Sequence, residues 1–191
     1  MNRRTTIKSI LGLGFVAVSG FSIFKWTKIN RTADLSLLLN NKNLIAELAE
    51  TVIPRTETPG AKDAKVEEFI IDFIRDCANN KNQNLFIEGL KDVQELAGTM
   101  YGKNYEYCIE SEKWQLLTHF ESEAENGNDL IRKIRNKFLG QPFFSQLKEL
   151  TVIGYCTSEA GATKGLAYDY IPADFISCTK LLPGQRSWAT K

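Results

Sequence analysis

Asn43-Leu44-Ile45-Ala46-Glu47-Leu48-Ala49-Glu50-Thr51-Val52-Ile53-Pro54 is the stretch whose pattern sets the fold class. Leu44, Ile45, Leu48, Ala49, Val52 and Ile53 recur at i, i+1, i+4, i+5, i+8 and i+9, which is one face of an α-helix. Pro54 ends that helix, because its ring removes an amide donor and clashes with the preceding turn. The run that follows, Pro54-Arg55-Thr56-Glu57-Thr58-Pro59-Gly60, is a stiff two-proline connector. Arg55, Thr56 and Thr58 project from it, and Asp63 is placed to cap the next helix.

The same spacing continues down the chain. Val66, Phe69, Ile70, Phe73, Ile74 and Cys77 predict a helix over about 64–78, broken by Asn79-Asn80-Lys81-Asn82. Leu85, Phe86, Leu90, Val93, Leu96, Ala97 and Met100 predict a third over about 83–101. Ser111 is the expected N-cap of a fourth, whose buried face holds Trp114, Leu117 and Phe120 or their neighbours. Asn126-Gly127-Asn128 reads as a turn, followed by short helices over about 129–138 and 142–155. Leu150-Thr151-Val152-Ile153 resembles a strand, yet Phe143, Phe144, Leu147, Leu150 and Gly154 keep helical spacing through it. The expected fold is all-α, a compact irregular helical bundle. From Thr157 onward glycine, proline and aromatic residues replace the periodic pattern. That predicts a loop-rich C-terminal tail, packed on its own body or on another chain.

The ends of the chain carry different charge. Of 191 residues, 24 are Lys or Arg and 23 are Asp or Glu, for a net of +1. Residues 1–28 hold Arg3, Arg4, Lys8, Lys25 and Lys28 and no acid, leaving 19 basic against 23 acidic residues in the body. A body of net −4 argues against a nucleic-acid partner. Ser9 to Phe24 is an uncharged run of 16 residues behind the basic cluster, the layout of an export signal. It is shorter than the roughly 17–25 residues that a membrane-spanning helix needs. Arg3-Arg4 with Lys8 resembles the twin-arginine signal, with Thr6 and Ile7 in place of its usual Phe and Leu. Ala17-Val18-Ser19 offers a small-x-small cleavage site, and a retained N-terminal anchor is the alternative. The expected organisation is a leader over 1–28 and one helical domain over 34–191, exported to the periplasm.

Export makes the cysteines candidates for oxidation. Cys77, Cys108, Cys156 and Cys178 contain no Cys-x-x-Cys pair, which excludes zinc-ribbon and thioredoxin readings. They can form two disulfides in three connectivities, or bridge to a partner, and Cys77 can instead pack as a small apolar residue in its helix. Other chemistry is sparse. His119 is the only histidine and has no identifiable nucleophile or orienting acid, so it reads as a surface residue. Glu121, Glu123 and Glu125 alternate, which spreads them around a helix as a solvated face. Gly12-Leu13-Gly14 lies in the leader without a preceding strand and is no dinucleotide loop. No catalytic residue, cofactor-binding residue or metal ligand is assigned. A free-standing enzyme would have to rely on carboxylates such as Glu159 and Asp169, and a membrane-tethered structural protein is the other alternative.

Two segments carry a family resemblance. Thr51-Val52-Ile53-Pro54 with Thr58-Pro59-Gly60-Ala61 resembles the N-terminal motif of the gluconate 2-dehydrogenase subunit 3 family. Gly154-Tyr155, Thr157-Ser158-Glu159, Gly161-Ala162 and Tyr168-Asp169 resemble its C-terminal signature. The resemblance covers roughly 43–172, and Cys156 stands where many members carry an aromatic residue. It implies a non-catalytic accessory subunit of an exported, FAD-dependent sugar or sugar-acid dehydrogenase. The FAD would belong to a large subunit of the glucose–methanol–choline type, with a cytochrome c subunit as a common electron acceptor. The small subunit would escort the folded large one through twin-arginine export, touching the membrane only through its leader. Pro54, Arg55, Thr56, Thr58, Pro59, Gly60, Tyr155, Thr157, Ser158, Glu159, Tyr168 and Asp169 are the expected partner-binding residues.

Overall fold

The computed structural model describes residues 31–125, 133, 136, 137, 139–168, 170, 171, 178, 180, 181 and 183–189. The leader with Arg3, Arg4 and Lys8, the 126–128 turn, most of the 129–138 helix and Asp169 lie outside the described residues.

Among the described residues the α-helices described from end to end are, in chain order, α1 (Ser36–Asn40), α2 (Lys42–Val52), α3 (Val66–Asp76), α4 (Asn80–Tyr101), α5 (Glu110–Glu125) and α6 (Phe143–Thr157). A 3-10 turn, Tyr105–Tyr107, joins α4 to α5, and a π-helical turn, Gly161–Gly165, follows α6. Lys133, Asn136, Lys137 and Leu139 are helical between α5 and α6. The described residues hold no strand, only an isolated parallel bridge between Ala167 and Trp188. The protein is all-α, as the spacing predicts. No described helix is long and apolar enough to cross a membrane.

The centre of the bundle is α6, which packs against α2, α3, α4 and α5. Phe143, Phe144, Gln146, Leu147, Leu150, Thr151, Gly154 and Tyr155 are all buried. A helix apolar around so much of its circumference belongs in the interior. The strand-like run Leu150–Ile153 lies inside it, so tertiary packing overrides the β-branched preference of its residues. Around it, α2 buries Leu44, Ile45, Leu48 and Ala49, and α3 buries Val66, Ile70, Ile71 and Ile74. Glu67 and Glu68 in the first turn of α3 and Arg75 in its last complement the helix dipole.

Three boundaries differ from the sequence reading. Asn79-Asn80-Lys81-Asn82 does separate α3 from α4, but α4 already starts at Asn80 rather than at about 83. The Asn79 side chain accepts the Asn82 amide at 3.0 Å, the N-cap role that asparagine favours. Buried Gln83 then donates to the carbonyls of Ile74 and Arg75, tying the end of α3 to the start of α4. Asp63 does not cap α3, whose N-cap is Lys65 in the left-handed region at φ 52°. Ser111 lies inside α5, which begins at Glu110, and Glu112 accepts the Ile109 amide at 3.0 Å.

The buried face of α5 also differs. Trp114 is 64% exposed, while Leu116, Leu117 and Ala124 are buried. The helix turns Lys113 inward, where it meets Glu47 at 2.7 Å and lies 5.6 Å from the Tyr105 ring centroid. A paired lysine thus occupies the place that apolar spacing assigns to tryptophan.

Candidate docking face

The two-proline connector is held by groups on both sides. Glu50, near the C-terminal end of α2, accepts the Arg55 amide at 2.9 Å and the Lys62 amide at 2.8 Å. One carboxylate therefore fixes the first and last parts of the turn. Gly60 is required because a Cβ there would collide with the Glu50 carboxylate and the Arg55 backbone. Asp63 accepts the Gly60 amide at 3.1 Å and lies 3.4 Å from the Arg55 guanidinium, so it braces the connector. Ala61 donates to the Ile53 carbonyl at 3.0 Å, closing the base of the turn.

The distant C-terminal segment locks the same turn. The Tyr155 hydroxyl donates to the Pro59 carbonyl at 2.8 Å, across 96 positions of sequence. The Tyr155 ring is in turn covered by the π-helical turn, and a Cβ on Gly165 would collide with its hydroxyl. Ser158 turns the chain there, donating to the Tyr155 carbonyl at 2.8 Å and accepting the Gly161 amide at 3.0 Å. The two motif segments, far apart in the chain, meet at this contact.

Of the connector residues, Pro54, Arg55 and Thr56 are exposed, and Thr58 and Pro59 are half-buried. Thr157 and Glu159 are exposed, Ser158 is half-buried, and Tyr168 is 47% exposed. Gly60 and Tyr155 are buried. They shape the face from beneath and present no side chain to a partner.

Beneath the connector lies a charged and hydroxylic layer. The Thr51 hydroxyl donates to the Glu47 carbonyl and accepts from the fully buried Tyr105 hydroxyl, each at 2.8 Å. Burial pushes the Tyr105 phenol well above its usual range, despite its bond to Thr51. Glu47 pairs with both Lys113 and Lys62. Partial burial works to raise the Glu47 carboxyl, but the two lysine hydrogen bonds outweigh it and hold it below the ordinary value of 4.5. These groups are paired with one another, and Glu47, Thr51, Lys62 and Lys113 also line an open hollow beside the connector. His119 is half exposed, 3.8 Å from Glu123, while Glu121 pairs with Lys148. Among the described residues no three His, Cys, Asp or Glu side chains gather as metal ligands.

All four cysteines are free thiols. Cys108 is buried, and burial raises its thiol above the usual value. Cys77 is exposed, so it is not the small core residue that its helical spacing suggests. It falls at the C-cap of α3, where the apolar stripe has already left the core.

The family model for gluconate 2-dehydrogenase subunit 3 matches residues 40–173, from α2 through both motif segments. The chain belongs to the gluconate 2-dehydrogenase subunit 3 family. Membership makes it an accessory subunit of a larger dehydrogenase complex. Curated proteins and solved structures yielded no match.

Sequence reasoning places the family motifs correctly but passes over Glu50 and Glu47. A signal was present. Carboxylates toward the C-terminal half of a helix oppose its dipole, which marks them as serving another purpose.

Proposed function

We propose that this chain is the non-catalytic small subunit of an exported FAD-dependent sugar or sugar-acid dehydrogenase. It binds the large flavoprotein subunit, of the glucose–methanol–choline type, through the face formed by the Pro54–Gly60 connector and the segment after Tyr155. FAD and the catalytic residues belong to that partner, and a cytochrome c subunit takes the electrons. Arg3, Arg4 and Lys8 belong to a twin-arginine signal that carries the folded pair to the periplasm.

The observation that carries the reading is the junction of the two family motifs at the Tyr155–Pro59 hydrogen bond. Residues from both ends of the family domain are spent on fixing the shape of one exposed turn. A turn braced by Glu50, Asp63 and Tyr155 binds at low ordering cost, because its conformation is set before the partner arrives.

The test is export. Replacing Arg3 and Arg4 by lysine is expected to leave the dehydrogenase activity in the cytoplasm, measured by fractionation. Activity that still reaches the periplasm would contradict the escort role.

A further inference from the structure

Beside the connector, α5 and α6 leave an open apolar groove. Its floor is Val52, Leu117 and Phe144, and the exposed Trp114 forms one wall. Its volume is about 130 Å³, room for one large apolar side chain. Val152, 44% exposed, stands on the same stripe of α6 as Phe144 and Lys148 and extends the apolar strip.

The polar groups at its rim are already engaged. Lys148 pairs with Glu121 at 2.7 Å. The Thr118 hydroxyl donates to the Trp114 carbonyl at 2.8 Å, and the Thr51 hydroxyl lies between Glu47 and Tyr105. A charged occupant would find no unspent partner at the rim and would lose its hydration. An uncharged apolar segment fits.

The groove is continuous with the docking face. Thr51 and Trp114 also border the adjoining hollow of about 350 Å³, which is lined by Pro54 and Arg55. A partner seated on the connector therefore reaches Trp114 without a gap. Large aromatic side chains in such positions dominate binding energy, because they bury much area with few rotatable bonds.

We infer that the Trp114 groove receives an uncharged apolar segment of the large dehydrogenase subunit, and that Trp114 anchors the complex. This rests on the small-subunit reading. The test uses the full tagged chain co-expressed with its dehydrogenase. Retained partner is measured by flavin absorbance and mass, for the wild type and for Trp114→Glu, Trp114→Phe and Arg55→Glu. Trp114→Glu is expected to retain at least tenfold less flavoprotein, with an unchanged melting temperature because the side chain is exposed. Trp114→Phe is expected to retain nearly the wild-type amount. Full retention by Trp114→Glu overturns the inference, and if Arg55→Glu loses the partner at the same time the docking connector still stands. A wild type that brings down no flavoprotein overturns both readings. Self-association of the isolated chain that Trp114→Glu abolishes, seen by sedimentation, would make a second copy the occupant and also overturn the inference.

Discussion

Glu47 and Glu50 lie three positions apart on α2 and do different work. Glu50 accepts two backbone amides of the connector, so its removal leaves both amides without their protein acceptor. Glu50→Ala is expected to cost about 1–2 kcal/mol in urea unfolding and to open the 54–62 region to protease. Glu47 holds Lys113 and Lys62. Its carboxyl is lowered in the fold, so its contribution is present above the unfolded value and is lost as pH falls through the folded one. Glu47→Gln is expected to lower stability by about 1–2 kcal/mol at neutral pH. The gap to wild type should close as pH falls through the lowered Glu47 value in the fold, because both chains then carry an uncharged side chain there. A gap that stayed constant down to pH 3 would mean that Glu47 acts by packing alone. Tyr155→Phe isolates the third brace. It keeps the ring and removes the bond to the Pro59 carbonyl, for an expected loss of about 1 kcal/mol, read by thermal or urea unfolding.

At the scale of elements, the helices were legible wherever apolar residues kept a stripe of constant phase. On α2 and α3 the spacing finds the buried Leu44, Ile45, Leu48, Ala49, Val66, Ile70 and Ile74, whereas Phe73, expected on the α3 stripe, is exposed and Ile71 is buried in its place. The α5 face was only partly legible: Leu117 is buried and Phe120 half-buried as expected, but the inward positions also include Lys113, and pattern reading assigns lysine to solvent. Only the position of Glu47 on a neighbouring helix makes that lysine an inward residue. The Asn79–Asn82 run misled in the opposite sense, since asparagine both breaks helices and caps them. The face itself was half legible. The motifs named its connector, but contact between Tyr155 and Pro59 spans 96 positions and leaves no mark on either segment alone. Gly165→Ala probes that packing. A methyl there meets the Tyr155 hydroxyl, so the π-helical turn must shift. The expected result is a loss of roughly 1–3 kcal/mol and weaker partner binding. An unchanged melting temperature would show that the turn yields freely.

For the whole molecule, the core is built around α6, Glu47 and Glu50 are committed to lysines and backbone amides, and the exposed apolar groups include Trp114, Tyr168 and Trp188. The charge split in the sequence, a basic first 28 residues on a body of net −4, accords with a domain whose partner is another protein. The family assignment gives that partner its class, a larger dehydrogenase complex. The most direct measurement is purification of the tagged chain from cells that express its dehydrogenase. Flavin absorbance and mass are then read on the eluted complex. The account predicts a flavoprotein bound in about one copy per chain, and a bound amount that falls when Arg55 is replaced by glutamate. A chain that elutes alone and free of flavin, beside a dehydrogenase that is exported and active without it, would contradict the account.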